Sequence, residues 1–249
     1  SLDPAYNENQ LTYDVIVPYN IEKVKVESTV QNKFATVIGN GDVYLNNGNN
    51  THQLFVTAEN GSVNIYTLNI YREYNLSLKT LVSDIGTLDP VFNKEVLEYN
   101  INLENDQDEI TFVALPESSK VTTTGNGTYN LSTGDNEILF TVSDPDGHTK
   151  EYKVNVNRAK DSNNYIKELN VDGILSPAFD KNTQEYQVDV RENVKSLSVI
   201  NYILDSDTAT AEIIGNSNFD KNNNPNQVTI RVTAENGDIR DYVLNVMLQ

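Results

Sequence analysis

Apolar and polar residues alternate along much of the chain, and the same alternation returns at intervals of 86 to 90 residues. Three late segments show it most plainly: Tyr66, Leu68 and Ile70; Tyr152, Val154 and Val156; Tyr242, Leu244 and Val246. Asn69, Asn155 and Asn245 stand between the apolar positions, so each segment predicts a half-buried strand. The runs before them, QLFVTA, ILFTVS and VTIRVTA, carry the same period-two pattern and connect across AENGS, DPDGH and AENGD. Asn-Gly and Asp-Gly readily take the positive φ that a tight hairpin needs, so each pair predicts a hairpin.

The repeat extends upstream. LDPAYNENQLTYDV, LDPVFNKEVLEYNI and LSPAFDKNTQEYQV align from Leu2, Leu88 and Leu175, and Tyr13, Tyr99 and Tyr186 each follow their leucine by 11 positions. Gly39, Gly125 and Gly215 each precede the later tyrosine by 27. About seven short strands per copy, with turn residues between them and no 3.6-residue stripe, predict an immunoglobulin-like two-sheet sandwich nearly free of helix. The fold class is therefore all-β: three tandem sandwiches over residues 1–73, 74–159 and 160–249. With roughly 35 to 40 Å per sandwich and short joints, the expected array is elongated, roughly 100 to 120 Å.

An apolar strand, a Gly-containing turn, Leu-x-Pro-x-Phe, a tyrosine-led strand, a Gly-Asn-Gly turn and a final Ala-Glu-Asn-Gly hairpin together resemble the cadherin-like β-sandwich domain of bacterial surface proteins. The second and third copies match throughout, and the first from Leu2 onward. The resemblance implies a tandem extracellular module, cell-surface or secreted, with no catalytic residues to carry over. The expected role is non-catalytic and structural or adhesive, a stalk or spacer. The alternative is a carbohydrate- or protein-binding module appended to a larger surface enzyme or adhesin.

Charge narrows the partners. With 18 basic and 36 acidic residues the net charge is -18, which disfavours nucleic acid and anionic membrane surfaces. A surface glycan or a protein remains. No apolar run approaches the roughly 20 residues of a membrane span, so no membrane insertion is expected. There is no cysteine, which removes disulfides, thiolate metal sites and cysteine nucleophiles. The opening residues lack signal-peptide character and begin in mid-domain, so a targeting signal is expected upstream.

Any task specific to one copy should sit where the copies differ. The second opens with LSLKTLVSDIGTL and the third with YIKELNVDGIL, while the first begins at SLDPAY without a first strand. The expectation is an exposed edge or apolar slot in the first sandwich, fillable by an upstream strand or by a neighbouring chain through self-association. The third copy carries three extra residues between Leu197 and Gly215, which places Tyr202, Asp205 and Asp207 in one connection. An aromatic beside two carboxylates could stack a sugar or hold a cation, although a longer solvated loop is the simpler account of the insertion.

No cofactor is expected, with Ca2+ the one ion considered. Asn216, Asn218 and Asp220 alternate as calcium ligands do, but Lys221 and Gln227 stand where an EF-hand loop has glycine and glutamate. The joints around residues 71–75 and 157–165 lack acidic clusters. His52 is expected at the sandwich margin and His148 in solvent, leaving no material for a histidine triad. Tyr19, Tyr44, Tyr129 and Tyr202 are the surface aromatics left once the repeated tyrosines are assigned to core and corners.

Overall fold

The computed structural model describes residues 1–249, and every regular element but one short 3-10 turn is a β-strand. In the first copy these are β1 (Thr12–Val17), β2 (Lys23–Val26), β3 (Thr36–Ile38), β4 (Gly41–Tyr44), β5 (Gly48–Thr57) and β6 (Val63–Arg72). They form a four-stranded sheet, β1-β6-β5-β3, and a two-stranded one, β2-β4. The second copy has β7 (Leu78–Ser83), β8 (Glu98–Leu103), β9 (Glu109–Pro116), β10 (Thr122–Thr124), β11 (Gly127–Asn130), β12 (Gly134–Ser143) and β13 (Thr149–Arg158). Its sheets are β10-β12-β13-β8 and β11-β9-β7.

The third copy has β14 (Ile166–Val171), β15 (Ile174–Ser176), β16 (Glu185–Val190), β17 (Ile200–Leu204), β18 (Thr210–Ile214), β19 (Asn226–Thr233) and β20 (Ile239–Leu248). They pair as β14-β17 and β15-β16-β20-β19-β18. The 3-10 turn, Lys221–Asn223, follows the point where the second copy has β11. By compactness the chain divides into two units, residues 1–102 with 108–157, and residues 103–107 with 158–249. The first unit thus holds two sandwiches.

The repeated residues make the same structure each time. β1 runs parallel to β6 with Tyr13 opposite Leu68, and β16 runs parallel to β20 with Tyr186 opposite Leu244. The buried tyrosine rings close a corner: the Tyr13 hydroxyl donates to the Asn7 carbonyl at 2.7 Å and accepts the Asn7 N–H at 3.1 Å. Tyr99 meets Asn93, and Tyr186 meets Asp180, in the same way. This is how a sandwich buries a phenol without stranding its polar tip.

Gly39, Gly125 and Gly215 have φ of +113°, +98° and +81°, and a Cβ on any of them would run into the carbonyl of Gln53, Leu139 or Gln227. Both the backbone angle and the close approach therefore demand glycine. The asparagine after each glycine ties back to the segment upstream, Asn40 to Ser28 in the first copy. Asn126 accepts the Ala114 N–H at 2.6 Å and donates to its carbonyl at 3.1 Å, and Asn216 does the same to Leu197 at 2.7 and 2.9 Å.

Candidate functional site

The copies depart from one another most where a first strand enters. In the second sandwich β7 pairs antiparallel with β9, Leu81 opposite Ala114; in the third β14 pairs with β17, Leu169 opposite Tyr202. Leu78, Leu81, Ile166 and Leu169 drop between the sheets and are buried. Each such aliphatic contributes roughly 1.5 to 3 kcal/mol by leaving water. In the first sandwich β2 pairs only with β4, and its other edge faces an open cavity of about 520 Å³. Tyr13, Val15, Val24, Val26, Leu54 and Val56 line it from both sheets.

The neighbours of that space are correspondingly exposed. Val24 and Val56 are half-buried, whereas their counterparts Ile110 and Val142 are fully buried. β2 stops at Val26, while its counterpart β9 continues through residues 113–116, the stretch held by β7. The corresponding residues 27–30 are not strand.

A polar network frames the same entrance. The Tyr152 hydroxyl donates to the Lys94 carbonyl at 2.8 Å and accepts the Leu78 N–H at 3.2 Å. Tyr242 donates to the Lys181 carbonyl at 2.7 Å and accepts the Ile166 N–H at 3.2 Å. Tyr66, the first copy's equivalent, instead meets the Glu8 carbonyl at 3.3 Å and the Tyr6 side chain.

An ion pair closes each filled entrance. Lys94 binds Glu117 at 3.0 Å and Lys181 binds Asp205 at 3.1 Å, while Asn75 and Asn163, just before the first strands, donate to the same carboxylates. The lysine first and the asparagine second hold each acid below the usual carboxylate range. In the first copy the lysine position is Glu8, and Gln31 donates to its carboxylate at 3.3 Å.

These equivalences reassign the sequence-derived candidates. Tyr202 occupies the Ala114 position and, partly buried, packs against the third core. Asp205 is the repeat's own entrance acid, matched by Glu117, and Asp205 and Asp207 both stand exposed in the turn after β17. The structure does not bring the three together as a platform, because a strand sends Tyr202 inward while the turn turns the acids out.

The loop after Gly215 is likewise occupied with its own folding. The Asn216 amide is spent on Leu197, Asn218 takes φ of 55°, and Asp220 caps the 3-10 turn by accepting the Asn222 N–H at 3.0 Å. No three acidic or histidine side chains in the chain stand close enough together to hold a metal. Of the four surface aromatics, Tyr19 and Tyr44 are exposed; Tyr129 packs edge-on to Phe112 and donates to the Gly125 carbonyl at 2.7 Å.

His52, half-buried, places Nε2 2.7 Å from the Gly39 carbonyl, at the sandwich margin. His148 is not simply solvated. Its Nδ1 lies 2.9 Å from Asp144 and 3.0 Å from the Tyr71 hydroxyl, because its hairpin packs at the joint between the first two sandwiches. Burial, then the Asp146 hydrogen bond, raises the Tyr71 phenol well above its ordinary value. Burial works to raise Asp144, but hydrogen bonds from His148 outweigh it and hold the carboxyl low. Sequence reading could not anticipate this cluster, since Tyr71 and His148 belong to different copies.

The entrance network was legible in principle. Asn75, Leu78, Lys79, Leu81 and Asp84 repeat at identical spacing as Asn163, Ile166, Lys167, Leu169 and Asp172. Asp84 accepts the Thr111 N–H at 2.8 Å and Asp172 the Ser198 N–H at 2.9 Å, so the pattern marks both ends of the inserted strand.

The family model for the cadherin-like beta sandwich domain matches residues 1–73 and 74–159. No curated protein matches the chain. Among solved structures, it is similar to Drosophila N-cadherin EC1-3 (9% identity, 95% of this chain, 97% of that chain, TM-score 0.30). It is also similar to protocadherin gamma B2 extracellular cadherin domains 1-5 (10% identity, 96% of this chain, TM-score 0.27) and to the human desmocollin-1 ectodomain (12%, 96%, TM-score 0.24). The chain spans 59% of that protocadherin chain and 57% of the desmocollin one.

Proposed function

Because the chain belongs to the cadherin-like β-sandwich domain family, we propose that it is a non-catalytic stalk or spacer segment of a bacterial cell-surface protein. Domains of this family are typically extracellular, adhesive or structural, and non-catalytic. No helix of the chain is long and apolar enough to cross a membrane.

The observation that carries the reading is repetition at the level of individual hydrogen bonds. The polar side chains that recur, the corner tyrosines, the Gly-Asn ties and the entrance acids, each hold their own sandwich. A spacer needs one self-sufficient module several times over, whereas a catalyst needs groups converging on one cleft. Small-angle scattering tests it. A spacer gives a maximum dimension of about 100 to 120 Å, whereas a globule of this length has a radius of gyration of about 18 Å, the result that overturns the reading.

A further inference from the structure

The joint inside the first unit holds a second cavity, of about 550 Å³, with walls from both the first and the second sandwich. We propose that it is a binding site for a neutral oligosaccharide, with sugar-ring faces resting on Tyr19 and Tyr74 and the ring hydroxyls meeting Glu73, His148 and Thr149. This goes beyond the spacer role and does not depend on it.

The tyrosines of this cavity are additions to a frame that the repeat builds without them. Arg72 donates to the Tyr19 carbonyl at 2.7 Å as Arg158 donates to that of Asn105 at 2.6 Å, and the Glu73 N–H meets the Val17 carbonyl as the Ala159 N–H meets that of Leu103. On that shared frame Tyr19, Tyr71 and Tyr74 stand where the second copy carries Asn105, Asn157 and Lys160. The third copy has Glu192 and Met247 at the first two positions. The sandwich fold therefore does not require the rings. Packing of the joint does not consume them either, since Tyr19 remains 39% exposed and Ile16, another lining residue, 70%.

The walls are formed in advance. The Tyr71 hydroxyl donates to Asp146 at 3.1 Å and lies 3.0 Å from His148 Nδ1, while Lys150 donates to the Ser77 hydroxyl at 3.4 Å and to the Lys94 carbonyl at 3.2 Å. A ligand is thereby spared the cost of ordering them. By contrast, the Tyr74 and Thr149 hydroxyls, the Glu73 carboxylate and His148 Nε2 make no hydrogen bond within the chain. They offer donors and acceptors together, which suits hydroxyls, each of which is both. The Asp144 carboxylate is already bonded to His148, which leaves Glu73 and Lys150, of opposite sign, so the lining does not select an anion or a cation. A sugar ring joins an apolar C–H face to a rim of hydroxyls, and aromatic rings with a few polar groups in a cavity of this size match both parts.

Titration of the full chain followed by nuclear magnetic resonance tests it, with cellobiose, maltose and di-N-acetylchitobiose as neutral probes and sialyllactose as an acidic one. At least one neutral probe is expected to give saturable shifts at residues 16–19, 71–77 and 144–150 and none at residues 158–249. Tyr19→Ala should weaken that probe roughly tenfold and Glu73→Gln several-fold, whereas Tyr44→Ala, at an exposed ring outside the cavity, should leave its affinity unchanged. Glu73 is exposed and its replacement nearly isosteric, so that variant keeps the test sound if Tyr19→Ala disturbs the joint. Shifts with no neutral probe, shifts confined to another surface, a preference for sialyllactose, or undiminished binding by Tyr19→Ala and Glu73→Gln overturns the proposal.

Discussion

The first and second sandwiches share strand order, corner tyrosine and glycine tie, yet differ in how much their shared positions achieve. Val24, Val56 and Tyr66 are half-buried where Ile110, Val142 and Tyr152 are sealed. The side chains are closely similar, so the difference comes from β7. One strand of six residues brings two leucines of its own, completes the burial of neighbours on both sheets, and keeps the adjoining strand extended for twice its length. A strand's contribution to a small sandwich is thus mostly what it lets other residues bury, which dwarfs the roughly 0 to 1 kcal/mol of an exposed ion pair such as Lys23–Asp42.

Truncating equivalent core residues breaks the comparison hardest. Phe140→Ala empties a fully enclosed site and should cost the second sandwich about 3 to 5 kcal/mol, while Leu54→Ala, beside space that is already open, should cost the first only about 2 kcal/mol. Hydrogen exchange of peptides from each sandwich under graded denaturant separates the two. Equal losses would mean that the first core is as tightly packed as the second.

The paired tyrosines give a finer contrast. Tyr152→Phe strands the buried Leu78 N–H and should destabilise the second sandwich by about 1 to 3 kcal/mol, whereas Tyr66→Phe should stay within about 0.5 kcal/mol. The same exchange experiment reads both.

The smallest effect concerns the joint that holds the two sandwiches in one unit. The Asp144 carboxyl is held below its ordinary value in the folded chain, so its contribution is present above about pH 3.9 and is lost as pH falls through the depressed folded value. Acidification should speed exchange in the hairpin of residues 144–148 in the wild type and much less in Asp144→Asn. Matching profiles would remove Asp144 from the joint.

Periodicity, turn residues and the tyrosine spacings made the sandwich legible, because period-two burial and positive-φ turns are local requirements. The candidate site was legible only in part. Asp205 reads as a loop acid until its pairing with Lys181 equates it with Glu117. The three-residue insertion hid that equivalence, since one added residue before Tyr202 changes which counterpart each position has without changing the letters around it.

The sequence by itself determined the repeat, the strands and their inward faces, since alternation and glycine placement act through the nearest neighbours along the chain. Only the tertiary structure decided that Tyr202 packs against the core, that His148 serves a joint, and that a cavity stands beside β2. Those outcomes depend on which distant segments meet. A side chain's surroundings are set by the strands packed over it, and those strands lie tens of residues away.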